Sequence, residues 1–249
     1  MNAITKLLRD LVAIPSINPA FAPGDKKLTG EEPVACHLIT LAKRLGLAIT
    51  RQPVLPGRRN LLVTLEPVGK VQCRILLAPH LDVVPADTRQ FKPFIKNNRL
   101  FGRGACDTKG SVAACFHAFC KIARQKQRPK HTEIIFAGLV DEECGQAGSR
   151  ALGRSKLKAD LAIAGEPTML KVVTAHKGNL WLQLETKGRA AHGAKPELGR
   201  NAIGTMSGVI NLLQTQYATR LKKRSHPLLG SPTINIGVIR GGNQPNVVP

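Results

Sequence analysis

Three strand-length apolar runs each end abruptly in acidic or imidazole side chains, and this pattern restricts the fold more than any other feature of the chain. Arg74-Ile75-Leu76-Leu77-Ala78-Pro79 leads into His80-Leu81-Asp82. Ile134-Ile135-Phe136-Ala137-Gly138-Leu139-Val140 leads into Asp141-Glu142-Glu143, and Ala159-Asp160-Leu161-Ala162-Ile163-Ala164-Gly165 leads into Glu166-Pro167-Thr168. Near-continuous apolar runs of this length, separated by helical patterns, read as strands covered on both faces. A fourth cluster, Gly102-Arg103-Gly104-Ala105-Cys106-Asp107, puts an acid in a glycine-rich turn just before a helical pattern. Open α/β sheets bind ligands beyond the carboxyl ends of their strands. The four clusters are therefore expected to converge on one pocket, and a pocket of carboxylates with an imidazole reads as a metal site. The chain has only 16 Asp and Glu against 37 Lys and Arg, so six acids gathered at these positions is a marked concentration.

The rest of the pattern supports such a sheet. Ile4, Leu7, Leu8, Leu11 and Val12 recur at helical spacing. Thr29-Gly30-Glu31-Glu32 reads as a capping box that opens a helix through Leu38, Leu41 and Leu45, closed by Gly46. Strands are expected near 47–54, 60–66 and 72–79. A helix over 109–124 carries Val112, Cys115, Phe116, Phe119 and Ile122 on one face. A strand at 132–140, a short helix near 147–154 and a strand at 159–165 complete an α/β class domain: a mixed or parallel sheet with helices on both faces. After Thr168 the pattern shifts. Strands at 171–176 and 180–186, a long helix over 200–217 and a strand near 233–239 suggest a smaller α+β domain, giving boundaries of 1–170 and 171–249.

Composition narrows the function classes. A chain of 249 residues can bury a sizeable core. The N-terminal segment lacks the apolar region of a signal peptide, and no stretch is long enough to span a bilayer, so no membrane partner is expected. The six cysteines form no CxxC pair and read as the reduced thiols of a cytoplasmic protein. Cys106 and Cys144 flank proposed site carboxylates, but a small packed hydrophobe is the ordinary role of such residues. The net charge of +21 comes with one Trp, one Tyr and no recognition motif, so nucleic acid is not an expected partner. A positive field that draws in small carboxylate-bearing substrates fits better.

Taken residue by residue, the clusters have metal logic. His80 and Asp82 are two apart at a strand end, so their side chains share a face, and Asp82 can fix the imidazole tautomer. The lesser reading of the pair alone is a capped strand end with a solvated histidine. Asp107 sits where a helix N-terminus favours an anion, and alone it would be an ordinary N-cap. Glu142 and Glu143 cannot face the same way. One can bind metal while the other serves as a general base whose pKa is raised by a partly dry site. Glu166 follows an apolar strand and is stiffened by Pro167. One His and several carboxylates suit zinc, manganese or cobalt better than calcium. A carboxylate bridging two ions roughly 3.5–4 Å apart is the two-metal hydrolase arrangement.

With those residues in view, the chain resembles the M20 family of zinc aminoacylases and exopeptidases. The matching stretches are His80 to Pro85, Gly102 to Gly110, Asp141-Glu142-Glu143, Gly165 to Thr168 and Ala191-His192-Gly193. Glu166-Pro167-Thr168 followed by Ala175-His176-Lys177-Gly178 is most similar to the acetylornithine deacetylase branch. The resemblance implies a zinc-exopeptidase-like sheet and a ferredoxin-like lid and dimerisation domain over 171–249. It also implies two Zn2+ ions, with Co2+ or Mn2+ as substitutes. His80, Asp107 and Glu166 would hold the first, Asp107 and Glu143 the second, with Asp82 behind His80 and Glu142 as general acid/base. His192 would reach across a homodimer to polarise the scissile carbonyl. Without the motif it reads as a surface-loop histidine. The implied reaction is hydrolysis of the amide of a small N-acyl amino acid, with dipeptidase or carboxypeptidase activity as the alternative within the family. The family draws one more second-zinc histidine from a C-terminal segment that lies beyond Pro249. The expectation is therefore at most one tight zinc on these 249 residues and no turnover, and a non-catalytic metal-binding or dimerising protein is the alternative from another class.

Overall fold

Asn2 starts the first helix, α1 (Ala3–Val12), by accepting the Thr5 N–H at 2.8 Å. The helix buries Leu11 and Val12, the inner edge of its apolar stripe. The next helix, α2 (Glu32–Lys43), does not use the expected capping box. Glu31 is the N-cap but makes no side-chain cap bond, and the Thr29 hydroxyl donates back to the Asp25 carbonyl. The box's Glu32 carboxylate is taken instead by the Arg51 guanidinium, and that of Glu31 by Arg58. Charge-assisted bidentate pairs hold these carboxylates more strongly than an N–H of the helix's own first turn would. Gly46 does close the helix, at φ +64°.

The computed structural model describes residues 1–249 and divides into two units, Met1–Leu170 and Lys171–Pro249. In the first unit, β1 (Ala48–Leu55), β2 (Arg58–Leu65) and β3 (Cys73–Pro79) follow α2. A small hairpin, β4 (Phe94–Lys96) and β5 (Arg99–Phe101), comes next. Asn97 and Asn98 turn it at φ 49° and 57°, as two-residue hairpins require. Then come α3 (Lys109–Ala123), β6 (Thr132–Gly138), α4 (Ala147–Gly153) and β7 (Leu161–Gly165). The sheet order is β1-β2-β6-β3-β7. β1, β2 and β6 pair antiparallel, whereas β3 pairs parallel with both β6 and β7, so the sheet is mixed.

Alternation along the strands builds two packed layers. On one face Leu61, Val63 and Phe136 pack with Leu11, Leu38 and Phe116 of the three helices α1, α2 and α3. On the other, Leu76, Ile135 and Ala137 pack with Leu152 of α4. Register fixes the functional end: Pro79 pairs with Gly165, and His80 bridges Leu139. All three parallel strands therefore deliver their following residues to one pole. The run at 159–165 departs from expectation. It is apolar enough to be a central strand, but β7 is outermost, and Leu161 and Ile163 are 53% and 46% exposed.

The second unit contains β8 (Ala191–His192) paired antiparallel with β9 (Val247–Val248). Its long helix, α5 (Ala202–Leu212), continues through a π-helical turn (Leu213–Tyr217) into α6 (Ala218–Lys222). It outlasts the expected end at 217 because nothing in that stretch breaks the helix. The strands expected at 171–176, 180–186 and 233–239 enter no ladder. Alternation marks a strand only where a neighbour accepts its hydrogen bonds, and here Leu180, Trp181 and Leu182 stand 79%, 80% and 74% exposed.

Candidate metal centre

His80 leaves the end of β3 almost fully buried, at 2% exposure. Its Nδ1 lies 3.1 Å from the Asp82 carbonyl oxygen and 3.5 Å from Asp82 Oδ1. That engagement leaves Nε2 as the outward nitrogen. Around Nε2 stand Asp107 Oδ1 at 3.1 Å, Glu142 Oε2 at 3.7 Å and Glu166 Oε1 at 3.8 Å. Donor atoms of His80, Asp107 and Glu143 all lie within 4.8 Å of one another. The structure thus brings together, from the ends of three strands and one turn, all the first-unit residues that the sequence singles out.

Asp107 is exposed, yet its neighbours pin it. Thr108 Oγ1 donates to the Gly165 carbonyl at 2.7 Å, tying the turn to the end of β7. Lys109 is fully buried, and its Nζ donates to the carbonyls of Leu11 at 3.0 Å and Ile14 at 2.6 Å. Gly104 is needed for the approach: it sits at φ +80°, and a Cβ there would come within 2.7 Å of Val83 Cγ1. The two adjacent glutamates are aimed by one buried carboxylate. Asp82 Oδ1 accepts the Glu142 N–H and Oδ2 accepts the Glu143 N–H, each at 3.0 Å. With both amides turned inward, the two side chains leave toward the site on separate paths.

The electrostatics describe a site short of positive charge. Burial works against the imidazolium of His80, but Asp82, Glu166 and Glu142 outweigh it and push its pKa up to about 9. Burial, then repulsion from Asp107, raises Glu143 to about 7. Burial also raises Glu142 and Glu166, with help from the neighbouring carboxylates against the opposing pull of His80. Asp82 goes the other way: burial opposes its charge, but His80, Asn18 and the Glu143 amide hold it below the usual range. A donor set of one oriented imidazole and several crowded carboxylates fits a divalent ion such as zinc, cobalt or manganese.

His192 belongs to the second unit. It is exposed at the end of β8, where its Nδ1 accepts the Ala194 N–H at 3.1 Å. Cys106 and Cys144 are exposed rather than packed, stand outside the three-donor group, and like the other four cysteines are unpaired. Four residues behind the site escaped sequence reasoning: Asn18, Glu31, Arg58 and Asp141. Asn18 is a polar residue in an apolar stretch before Pro19, and Asp141 heads the acidic triplet. Neither signal names a partner.

Acids and an imidazole gathered at the parallel-strand ends of a mixed α/β sheet define a carboxylate-rich candidate metal centre. The chain belongs to peptidase family M20/M25/M40, whose profile matches residues 76–245. It is 32% identical over 254 residues to an acetylornithine deacetylase of Vibrio cholerae, covering 99% of this chain and 65% of the relative. It is 36% identical over 252 residues to an acetylornithine deacetylase of Proteus mirabilis, covering 97% and 62%. The chain therefore spans somewhat under two-thirds of the length of these relatives. The fold matches a tripeptidase from Staphylococcus aureus with a TM-score of 0.61 at 22% identity, over 98% of this chain and 62% of that one. It also matches an M20 family metallo-carboxypeptidase from Sulfolobus solfataricus with a TM-score of 0.57 at 20% identity, over 86% and 50%. No helix is long and apolar enough to cross a membrane.

Proposed function

We propose that this chain carries the catalytic metal centre of a di-zinc amidohydrolase that removes the acyl group from a small N-acyl amino acid. The observation that carries this reading is the position of Glu142. Its carboxylate stands 3.7 Å from His80 Nε2 but outside the three-donor group, and its pKa is raised by burial and neighbouring acids. That is where a general base belongs: beside the metal position, poised to hold a proton. Two bound divalent ions would polarise the amide carbonyl and acidify water. His80, Asp107 and Glu166 would hold one ion and Asp107 with Glu143 the other, while Asp82 keeps His80 oriented. Glu142 takes the proton from water at its carboxylate and returns it to the leaving amine nitrogen. His192 of a homodimer polarises the scissile carbonyl from the partner. The acyl-amino-acid class is supported by the names of the relatives at 32% and 36% identity. The test is a panel of N-acetylornithine, N-succinyl-diaminopimelate and dipeptides, run on the full-length protein beside metal analysis. Metal-dependent deacylation faster than dipeptide cleavage is the expected result. Preferential dipeptide cleavage would transfer the protein to the peptidase side of the family, and hydrolysis of nothing in the panel would overturn the reading.

A further inference from the structure

Behind the metal donors lies a buried polar chain that begins at the β1–β2 turn. Arg58 pairs with both carboxylate oxygens of Glu31 and donates from Nη1 to Asp141 Oδ1 at 2.9 Å. Glu31 Oε1 accepts the Asp141 N–H at 3.1 Å. Asp141 is thus gripped through side chain and main chain, and it holds a left-handed backbone at φ 66° that an aspartate adopts only at some cost. It opens the turn that carries Glu142 and Glu143.

The link between this ion cluster and the metal donors is one amide. Asn18 is fully buried, and its Nδ2 donates to Asp82 Oδ2 at 2.7 Å and to Asp141 Oδ1 at 3.1 Å. Its Oδ1 accepts the Ala20 N–H at 3.0 Å, which fixes the orientation of the amide. The two hydrogens of the NH2 group are thereby shared between two carboxylates that would otherwise face each other with no donor between them. A hydroxyl has one hydrogen and could serve only one of them, and a carboxylate has none. The Asn18 backbone is held separately, by its N–H to the Val83 carbonyl at 2.9 Å.

We infer that Asn18 is a positioning residue for the metal centre. By bridging Asp82 and Asp141 it fixes the Glu142–Glu143 turn against the His80 carboxylate partner, and so sets the spacing between base and metal donors. The inference rests on the reading of His80, Asp107 and Glu143 as metal donors. Asp82 holds His80 on one side and both glutamate amides on the other, so a tilt of its carboxylate moves all three at once. Residues that hold metal ligands in place typically control affinity by about ten- to hundredfold.

The experiment is titration of the purified chain with Co2+, read by visible absorption and by dissociation constant, for the wild type, Asn18→Leu and Leu38→Ala. Leu38→Ala empties a core position that makes no hydrogen bond to the donors and serves as the control for simple loss of stability. Asn18→Leu is expected to keep the far-ultraviolet circular dichroism, to bind Co2+ about ten- to hundredfold more weakly and to change the shape of the cobalt band. Leu38→Ala is expected to lower the melting temperature with the band and the affinity intact. If Asn18→Leu fails to fold, Asn18→Ser, which keeps one donor, takes its place with the same readouts and an expected loss of about tenfold. An Asn18 variant that melts lower but keeps wild-type affinity and spectrum would show a purely structural residue and overturn the inference. Wild-type protein that binds no Co2+ would instead overturn the metal-centre reading itself, and this inference with it.

Discussion

At the scale of the residue, the adjacent glutamates show how one buried group aims two half-buried ones. Asp82 takes both amides, so Glu142 and Glu143 are equally anchored in the main chain and differ only in where their carboxylates go. Glu143→Gln is expected to lose bound zinc along with rate. Glu142→Gln is expected to retain metal while turnover of the full-length enzyme falls about a hundredfold or more. Metal analysis of the two purified variants decides this, and the opposite pattern would exchange the roles. A second residue-scale prediction concerns Gly148 at the start of α4. A Cβ there would collide with the Val140 carbonyl and come within 2.7 Å of Asn60 Oδ1. Asn60 has no room to give, because its Oδ1 accepts the Val140 N–H and its Nδ2 donates to the Gly148 carbonyl. Gly148→Ala should therefore cost about 3 kcal/mol in urea denaturation, through overpacking against fixed backbone. A loss under about 1 kcal/mol would show that the β6–α4 turn can relax.

At the scale of the element, what could be read from the sequence was whatever depends on local periodicity. α1, β2, β3, α3 and β6 fall within a few residues of their expected bounds, because apolar spacing and burial agree there. The acid clusters were legible for the same reason: each follows a strand whose end is marked by its own residues. The capping box failed because its Thr29 hydroxyl turns back to Asp25 and its Glu32 carboxylate has a distant partner, Arg51, 19 residues away. Asp141 and Arg58 are 83 apart. Pairings at such range leave no local trace, so the polar chain behind the donors was invisible until the strands were placed. β7 forms where expected but lies unburied, because composition reports an apolar strand but not its place in the sheet order. That placement leads to a prediction. Leu161 is half-exposed on an edge strand, where apolar side chains and unpaired backbone groups favour association with other chains. Leu161→Lys is expected to shift stability by less than about 1 kcal/mol while reducing light scattering during heating. Unchanged scattering would mean that aggregation starts elsewhere.

At the scale of the whole molecule, proton and metal compete for one pole of the sheet, and the direction of that competition can be worked out. In the metal-free protein His80 has its pKa raised from 6.5 to about 9. A raised imidazole stabilises the fold fully below about pH 6.5, and that contribution is lost as pH rises through 9. Glu143 is raised from 4.5 to about 7, so its protonated form suits the fold. Stability from that source is full below about pH 4.5 and is lost as pH passes 7. Glu142 and Glu166 shift the same way. A divalent ion needs the opposite states, a neutral imidazole and ionised carboxylates, so binding it expels protons and strengthens as pH rises. Burial lowers the pKa of Lys109 to about 7, so its contribution is full above about pH 10.5 and is lost as pH falls through 7. That residue touches none of the donor side chains, so its contribution is common to both forms and cancels when they are compared. The rise in melting temperature on adding Zn2+ at a fixed buffered concentration should therefore be larger at pH 8 than at pH 6, and EDTA should abolish it at both. A rise that is equal at the two pH values, or larger at pH 6, would mean that the bound metal displaces no protons from His80 and Glu143, and would remove them from the donor set.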